Sequence, residues 1–229
     1  LAVVMGLAAG IVHAQQPDNG MKAFLKDYGA TQKEIWLSPF KMSRRTMLTR
    51  AVPLALGTAG LFAVDRRISR SLPNTDDQVK WSNRISHIGG LYTLAAVTAV
   101  PLIAARSGDR PYAASVGRAS IDALAASVTV NYVLKYSLGR ERPYNGAGNG
   151  PFFRGGDSFP SGHSMTTWAV CTAIARHRNT PRWAKVVSYA VAATVSLSRL
   201  GGRRHFSSDV FAGAVLGGWI GNRAAQKAP

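Results

Sequence analysis

The chain has 229 residues, 46% of them hydrophobic and 17% charged, which is enough for one domain with a buried core and too apolar for a disordered chain. Lys and Arg number 28 against 11 Asp and Glu, a formal net charge of +17; this favours anionic partners such as phosphates, anionic lipid or other polyanions. The single cysteine, Cys171, excludes an intrachain disulfide and a cysteine-rich metal site and reads as a buried structural thiol.

Leu1 to Val12 is apolar, and Val12-His13-Ala14 places small residues as a signal peptidase requires. The run is short for a membrane span and suits the apolar region of a signal peptide. Residues 1–14 are therefore read as the remnant of a secretory signal, with an N-terminal anchor as the competing reading. Residues 15–80 are expected to form an N-terminal helical extension, including a short amphipathic helix over Met21 to Ile35. Ala51 to Val64 is an uncharged run ended by Asp65-Arg66-Arg67, and Ile85 to Ala105 is a second. Helices are then predicted over 112–138, 162–178, 182–199 and 208–225, separated by turn signals at Ser107-Gly108-Asp109, Gly146 to Pro151, Asn179-Thr180-Pro181 and Gly201-Gly202. No stretch alternates as a strand would. The expectation is an all-α bundle of five to six core helices, with the core over residues 81–226.

Gly213, Gly217 and Gly221 recur every four residues and so share one helical face, where a neighbouring helix can approach closely. A membrane span needs about 20 apolar residues. Only Ile85 to Ala105 reaches that length without a charge, so the sequence favours a soluble or membrane-associated bundle of a bacterial-type cell envelope. A periplasmic location follows from the signal remnant, and an integral membrane protein is the alternative.

Three segments carry chemistry: Lys135 to Pro143 (KYSLGRERP), Ser158 to His163 (SFPSGH) and Ser198 to Asp209 (SRLGGRRHFSSD). Pro160-Ser161-Gly162 precedes a helix, so free backbone N–H groups and a positive dipole end lie near Gly162 and His163, which makes a ready anion site. The helix from His163 runs roughly 22 Å at 1.5 Å per residue before the turn at Pro181. Its successor returns a similar distance, bringing Arg199 and His205 back to the pole that holds His163. His205 and Asp209 are four apart and share a face if both lie on a first helical turn. Asp209 would then accept a hydrogen bond from one ring nitrogen of His205 and leave the other free as a nucleophile. Taken singly these features have plain readings: Ser208 as an N-cap, Asp209 as a partner of the helix dipole, the cations as solvated surface.

Taken together, Lys-x6-Arg-Pro, Pro-Ser-Gly-His and Ser-Arg-x5-His-x3-Asp resemble the type 2 phosphatidic acid phosphatase superfamily, which includes lipid phosphatases, acid phosphatases and vanadium haloperoxidases. Every motif position matches, and the resemblance covers about residues 85–225. It implies a phosphoric ester hydrolase acting on a lipid phosphate or a small phosphomonoester. Lys135, Arg142 and Arg199 would bind the phosphoryl oxygens, with Ser161 and the Gly162 backbone N–H adding hydrogen bonds. His205 would attack phosphorus and become phosphohistidine, Asp209 would orient it, and His163 would serve as acid and then base. No metal and no other cofactor is implied. An anionic membrane surface is an expected partner; a specific nucleic acid is not. His13, His87 and His177 are read as bystanders, and Arg203 and Arg204 as rim charges or solvated side chains. The alternatives are a vanadate-dependent haloperoxidase using the same groups and a non-enzymatic cationic binder on the same fold.

Overall fold

The computed structural model describes residues 19–105, 110–145 and 148–227. The signal remnant read over residues 1–14 and the turn at Ser107-Gly108-Asp109 lie outside the described residues. Among those described, regular structure is helical, with no strand. Helix α1 is Asn19–Leu37. Helix α2, Val52–Ser71, continues from a short turn at Arg44–Thr46 and a wider one at Met47–Ala51. Helix α3 is Asp76–Ser86, and a tight turn at His87–Gly89 joins it to α4, Leu91–Ala104. Helices α5 (Pro111–Leu138), α6 (Gly162–Arg176), α7 (Arg182–Gly201) and α8 (Ser207–Lys227) complete the bundle.

Local sequence sets these boundaries. Thr75 caps α3 by accepting a hydrogen bond from the Gln78 N–H, and Asp76 and Asp77 lie in the first turn, where negative charge suits the helix dipole. Pro111 opens α5, where its missing N–H costs nothing. Gly139 ends that helix in the left-handed region, at φ +50°, and its N–H returns to the Lys135 carbonyl at 2.8 Å.

Helix α5 is the axis of the bundle. One of its faces packs Ala119, Ala123, Ala126 and Val130 against Met165, Ala169 and Ala173 of α6 and Ile220 and Ala224 of α8. The other packs Ile121, Leu124, Ala125 and Val128 against Leu94 and Ala95 of α4 and Val170 of α6. The N-terminal helix belongs to this body: Ile35 is in the first cluster, Tyr28 shares a hydrogen bond with Thr129 and Thr31 donates to Asp122. Glu34 pairs with Arg223 and Lys227 on α8.

The small-residue face of α8 lies on α6. A Cβ at Gly213 would come within 2.7 Å of the Ser161 carbonyl oxygen, and those at Gly217 and Gly221 would collide with the Met165 and Ala169 carbonyl oxygens. Backbone cannot swing aside as a side chain does, so Gly217→Ala must push the two helices apart. The expected loss is about 1–3 kcal/mol of stability, read as a fall of several degrees in Tm, whereas Gly218→Ala, which meets only Thr172 Oγ1 at 3.8 Å, leaves Tm unchanged.

Two stretches, Arg44–Ser71 and Asp76–Ala104, are long and apolar enough by length and composition to cross a membrane, the second with an extended residue, Gly90, between its helices. Ile85 to Ala105 remains the one run of that length without a charge; Arg44–Ser71 joins it when one or two charges are admitted. Counting residues between charges ignored the charged helix ends, whose long stems lie along apolar surface while the head stays in water. On α2 the apolar side chains Val52, Leu54, Leu56 and Val64 are exposed, and the buried residues are Asp65 and Ser69.

Candidate active site

The three motifs meet at one pole of the bundle. Lys135 stands one turn before the end of α5. Beyond Gly139 the chain folds back on itself: Glu141 N–H donates to the Pro151 carbonyl, and Ser158 N–H to that of Arg140. This main-chain pairing sets Arg142 beside Asp157. Its Nε and Nη2 donate to the two Asp157 carboxylate oxygens, each at 2.6 Å, and Lys135 Nζ donates to the Asp157 carbonyl. A fork of this kind receives a two-pronged anion, whether carboxylate or phosphate.

Ser161 precedes α6, and its N–H donates to the Asp209 carbonyl at 3.0 Å, tying the second motif to the third. Gly162 and His163 open α6, whose first-turn amides form the positive end of the helix dipole. Arg199 is in the last turn of α7. His205 precedes α8, and Asp209 lies in the first turn of that helix.

A cavity of about 400 Å³ is lined by Lys135, Arg142, Gly162, His163, Arg199 and His205, together with Asp157 and apolar residues of α4 and α5. Ser161 and Asp209 do not line it. Ser161 is buried beneath the start of α6, and Asp209 is buried behind His205. Two polar atoms at this pole, Ser161 Oγ and Arg199 Nε, are buried without a hydrogen-bond partner. Native proteins seldom leave such groups unpaired, and here both belong to residues that the motifs single out for anion binding.

Burial sets the electrostatics. It lowers the His163 imidazole to about 3, helped by the Arg199 charge. It lowers His205 to about 4 against the opposing pull of Asp209. Both rings are therefore neutral near pH 7. Burial also brings the Lys135 ammonium down to about 8, partly offset by Asp157, and Arg199 down to about 10. The Arg142 fork holds the Asp157 carboxyl at about 2. A lysine is charged below its pKa, so the positive lining is complete below about 8 and weakens as pH rises through that value. If Lys135 must carry charge to bind substrate, kcat/KM falls on the alkaline side near pH 8, because that ratio reports the free protein. In Lys135→Arg the fall is expected at least about one pH unit higher, since a guanidinium stays charged; a descending limb at an unchanged pH would mean that Lys135 does not set it.

The third motif differs in one respect from its expected geometry. His205 Nδ1 is 3.7 Å from Asp209 Oδ2, too far for a hydrogen bond, and it makes its bond at 2.8 Å to the Ser158 carbonyl oxygen. His205 lies ahead of the helix and not on its first turn, which turns the ring toward the Ser158 backbone. A carbonyl only accepts, so Nδ1 carries the proton and Nε2 the lone pair. Asp209 acts at one remove: its Oδ2 accepts from Ser158 Oγ at 2.5 Å and from the Phe206 N–H at 2.8 Å.

Sequence reasoning missed Arg140, Asp157, Ser158 and Asp65. Arg140 is buried, donates to Asp209 Oδ1 at 2.6 Å and to Asp65 Oδ2 at 2.9 Å, and lies over the rings of Phe206, Phe62 and Phe152. A signal existed for Arg140, a second arginine inside the first motif. None existed for Asp65, which in sequence only ends an apolar run. His177, read as a bystander, is buried at the opposite end of α6 and bonded to Ser115, and Arg204, read as a rim charge, contacts Asn83 and Tyr144.

Residues 119–228 match the family model for the PAP2 superfamily. Over this segment, just under half of its length, the chain is similar to the PAP2 superfamily. It is 30% identical over 188 residues to a lipid A 1-phosphatase of Porphyromonas gingivalis, covering 74% of this chain and 40% of that protein. It is 28% identical over 147 residues to an undecaprenyl-diphosphatase of Sulfolobus acidocaldarius, covering 62% and 66% respectively. The chain thus spans about two fifths of the first relative and just under two thirds of the second. The fold is that of a transmembrane PAP2-type phosphatidylglycerolphosphate phosphatase from Bacillus subtilis, with a TM-score of 0.56 at 24% identity over 76% of this chain and 92% of that one. The matched segment begins within α5 and takes in α6, α7 and α8.

Proposed function

We propose that this PAP2 chain is a metal-independent phosphatase of lipid phosphates, working through a phosphohistidine on His205. The observation that carries the reading is the His205 tautomer. With Nδ1 bonded to the Ser158 carbonyl, Nε2 holds the lone pair in a residue that lines a cavity bearing Lys135, Arg142 and Arg199.

Nε2 attacks phosphorus, and the bond to the leaving oxygen breaks on the opposite side. Lys135, Arg142 and Arg199, with Ser161 Oγ and the Gly162 N–H, take the phosphoryl oxygens and neutralise the charge of the transition state. His163 gives its proton to the leaving oxygen. It is neutral in the ligand-free protein, and a bound phosphate dianion raises its proton affinity by opposing the Arg199 charge that depresses it. In the second half-reaction His163 takes the proton of the water that attacks phosphohistidine, restoring His205 and releasing phosphate.

A lipid substrate is favoured by the rest of the cavity wall. It runs on to Leu91, Val128, Tyr132 and Tyr136, and Tyr132 and Tyr136 stack on an exposed surface. The two helical stretches of membrane-crossing length and the names of the relatives support the same reading, and with it a location at an envelope membrane. The N-terminal segments over residues 15–80 are read as the part that places the core against the lipid.

The test is phosphate release from a panel of lipid phosphates, lipid diphosphates and soluble phosphomonoesters, in detergent micelles, with and without EDTA. Turnover of lipid substrates that survives EDTA and is inhibited by orthovanadate is expected. Turnover confined to soluble esters would overturn the lipid reading, and chelator-sensitive activity restored by a divalent cation would overturn the metal-independent one.

A further inference from the structure

The fully buried residues of helix α2 are polar, and its Phe62 packs on Phe152 and Phe159. Val52, Leu54, Leu56 and Val64 are exposed, whereas Asp65 is 2% exposed and Ser69 7%. A carboxylate buried to this degree costs several kcal/mol unless fully paired, and Asp65 is fully paired. Its Oδ1 accepts from Ser207 Oγ at 2.6 Å and from the Ser208 N–H at 2.9 Å. Its Oδ2 accepts from Arg140 Nη2 at 2.9 Å and from Ser208 Oγ. All four donors lie outside α2, on α8 and on the loop after α5.

These contacts lead straight to the nucleophile. Arg140 Nη1 donates to Asp209 Oδ1 at 2.6 Å, and Arg140 Nε is held by the Gly150 carbonyl. Asp209 in turn receives Ser158 Oγ and the Phe206 N–H, and the Ser158 carbonyl receives His205 Nδ1. The residues that fix His205 on both sides, Ser158 and Phe206, are thus fixed by Asp209. Asp209 is fixed by Arg140, and Arg140 and the first turn of α8 are fixed by Asp65. Asp65 also balances Arg140, whose charge would otherwise bear on Asp209 alone.

We infer that Asp65, on the largely exposed helix α2, is a positioning residue for the nucleophile: it caps α8 from outside and holds Arg140 between itself and Asp209. Its hydrogen-bond partners Arg140, Ser207 and Ser208 are not among the residues that line the cavity, so it acts through them. The inference rests on the phosphohistidine reading, and it makes the docking of a helix of membrane-crossing length a condition of catalysis.

The experiment is a rapid-quench measurement of phosphoenzyme on the full chain in detergent, with an activated aryl phosphate labelled on phosphorus. A merely structural defect lowers the burst amplitude, because fewer molecules are competent. A positioning defect keeps the amplitude and slows the burst. Asp65→Asn is expected to give an amplitude near one equivalent per chain with a burst about 10- to 100-fold slower, the range for outer partners of working groups. Ser69→Ala, on the same buried face of α2, should burst at the wild-type rate. A reduced amplitude at the wild-type rate in Asp65→Asn would overturn the inference, as would equal slowing in Ser69→Ala. Should Asp65→Asn not fold, Ser207→Ala removes one bond to Asp65 and no charge; there a slowed burst at full amplitude supports the inference and a wild-type burst overturns it. No label on His205 in the wild-type chain would instead defeat the phosphohistidine reading, whatever the variants do.

Discussion

His205→Ala is expected to lower phosphate release by roughly 10⁴-fold or more, the scale of losing a nucleophile, and to abolish phosphoenzyme entirely. The cavity keeps its cations in this variant, so substrate still binds. The ring also leaves behind little unmet polarity: its Nδ1 bond to the Ser158 carbonyl is lost, but the Asp209 contacts to Arg140, Ser158 and Phe206 remain. Folding should therefore survive, visible as an unchanged circular dichroism spectrum. In the wild-type chain the label should be acid-labile and base-stable, as a phosphoramidate is. Label persisting in His205→Ala would place the nucleophile elsewhere.

The second large effect separates the two histidines. An activated aryl phosphate has a good leaving group and needs little help from an acid, whereas water attack on phosphohistidine still needs a base. His163→Ala given such a substrate should form phosphoenzyme in a burst near one equivalent and clear it about 10²–10⁴-fold more slowly than the wild-type chain, the usual contribution of a general base. With an alkyl phosphate the same variant should be slow from the first step. The low proton affinity of His163 in the ligand-free protein sharpens this expectation, because a neutral ring is already in the form that accepts a proton. Fast clearance in His163→Ala would remove His163 from the second half-reaction.

How much of this was legible in the sequence depended on whether the relevant spacing was local. The up-down return of α6 and α7 follows from two helix lengths and a proline turn, and it places Arg199 and His205 at the His163 pole. The glycine face of α8 was legible for the same reason, since a four-residue repeat on one helix is local information. The partner of His205 was not. A spacing of four brings Asp209 near His205, but the hydrogen bond goes to a backbone carbonyl 47 residues away, and main-chain groups carry no mark in a sequence. Asp65 was illegible because its partners on α8 are 142 and 143 residues away. Of the two stretches of membrane-crossing length, Ile85 to Ala105 was legible as an uncharged run, and Arg44–Ser71 was not, because it carries charges such as Arg50 within it.

The Ser158 carbonyl has an evolutionary consequence. Every amino acid at position 158 brings the same main-chain oxygen, so no single codon change can delete the acceptor that fixes the His205 tautomer. Drift at this position can alter the hydroxyl that meets Asp209, but which His205 nitrogen keeps its lone pair is inherited with the path of the backbone. If His205 attacks as proposed, the side chains around it can vary while the attacking nitrogen stays the same.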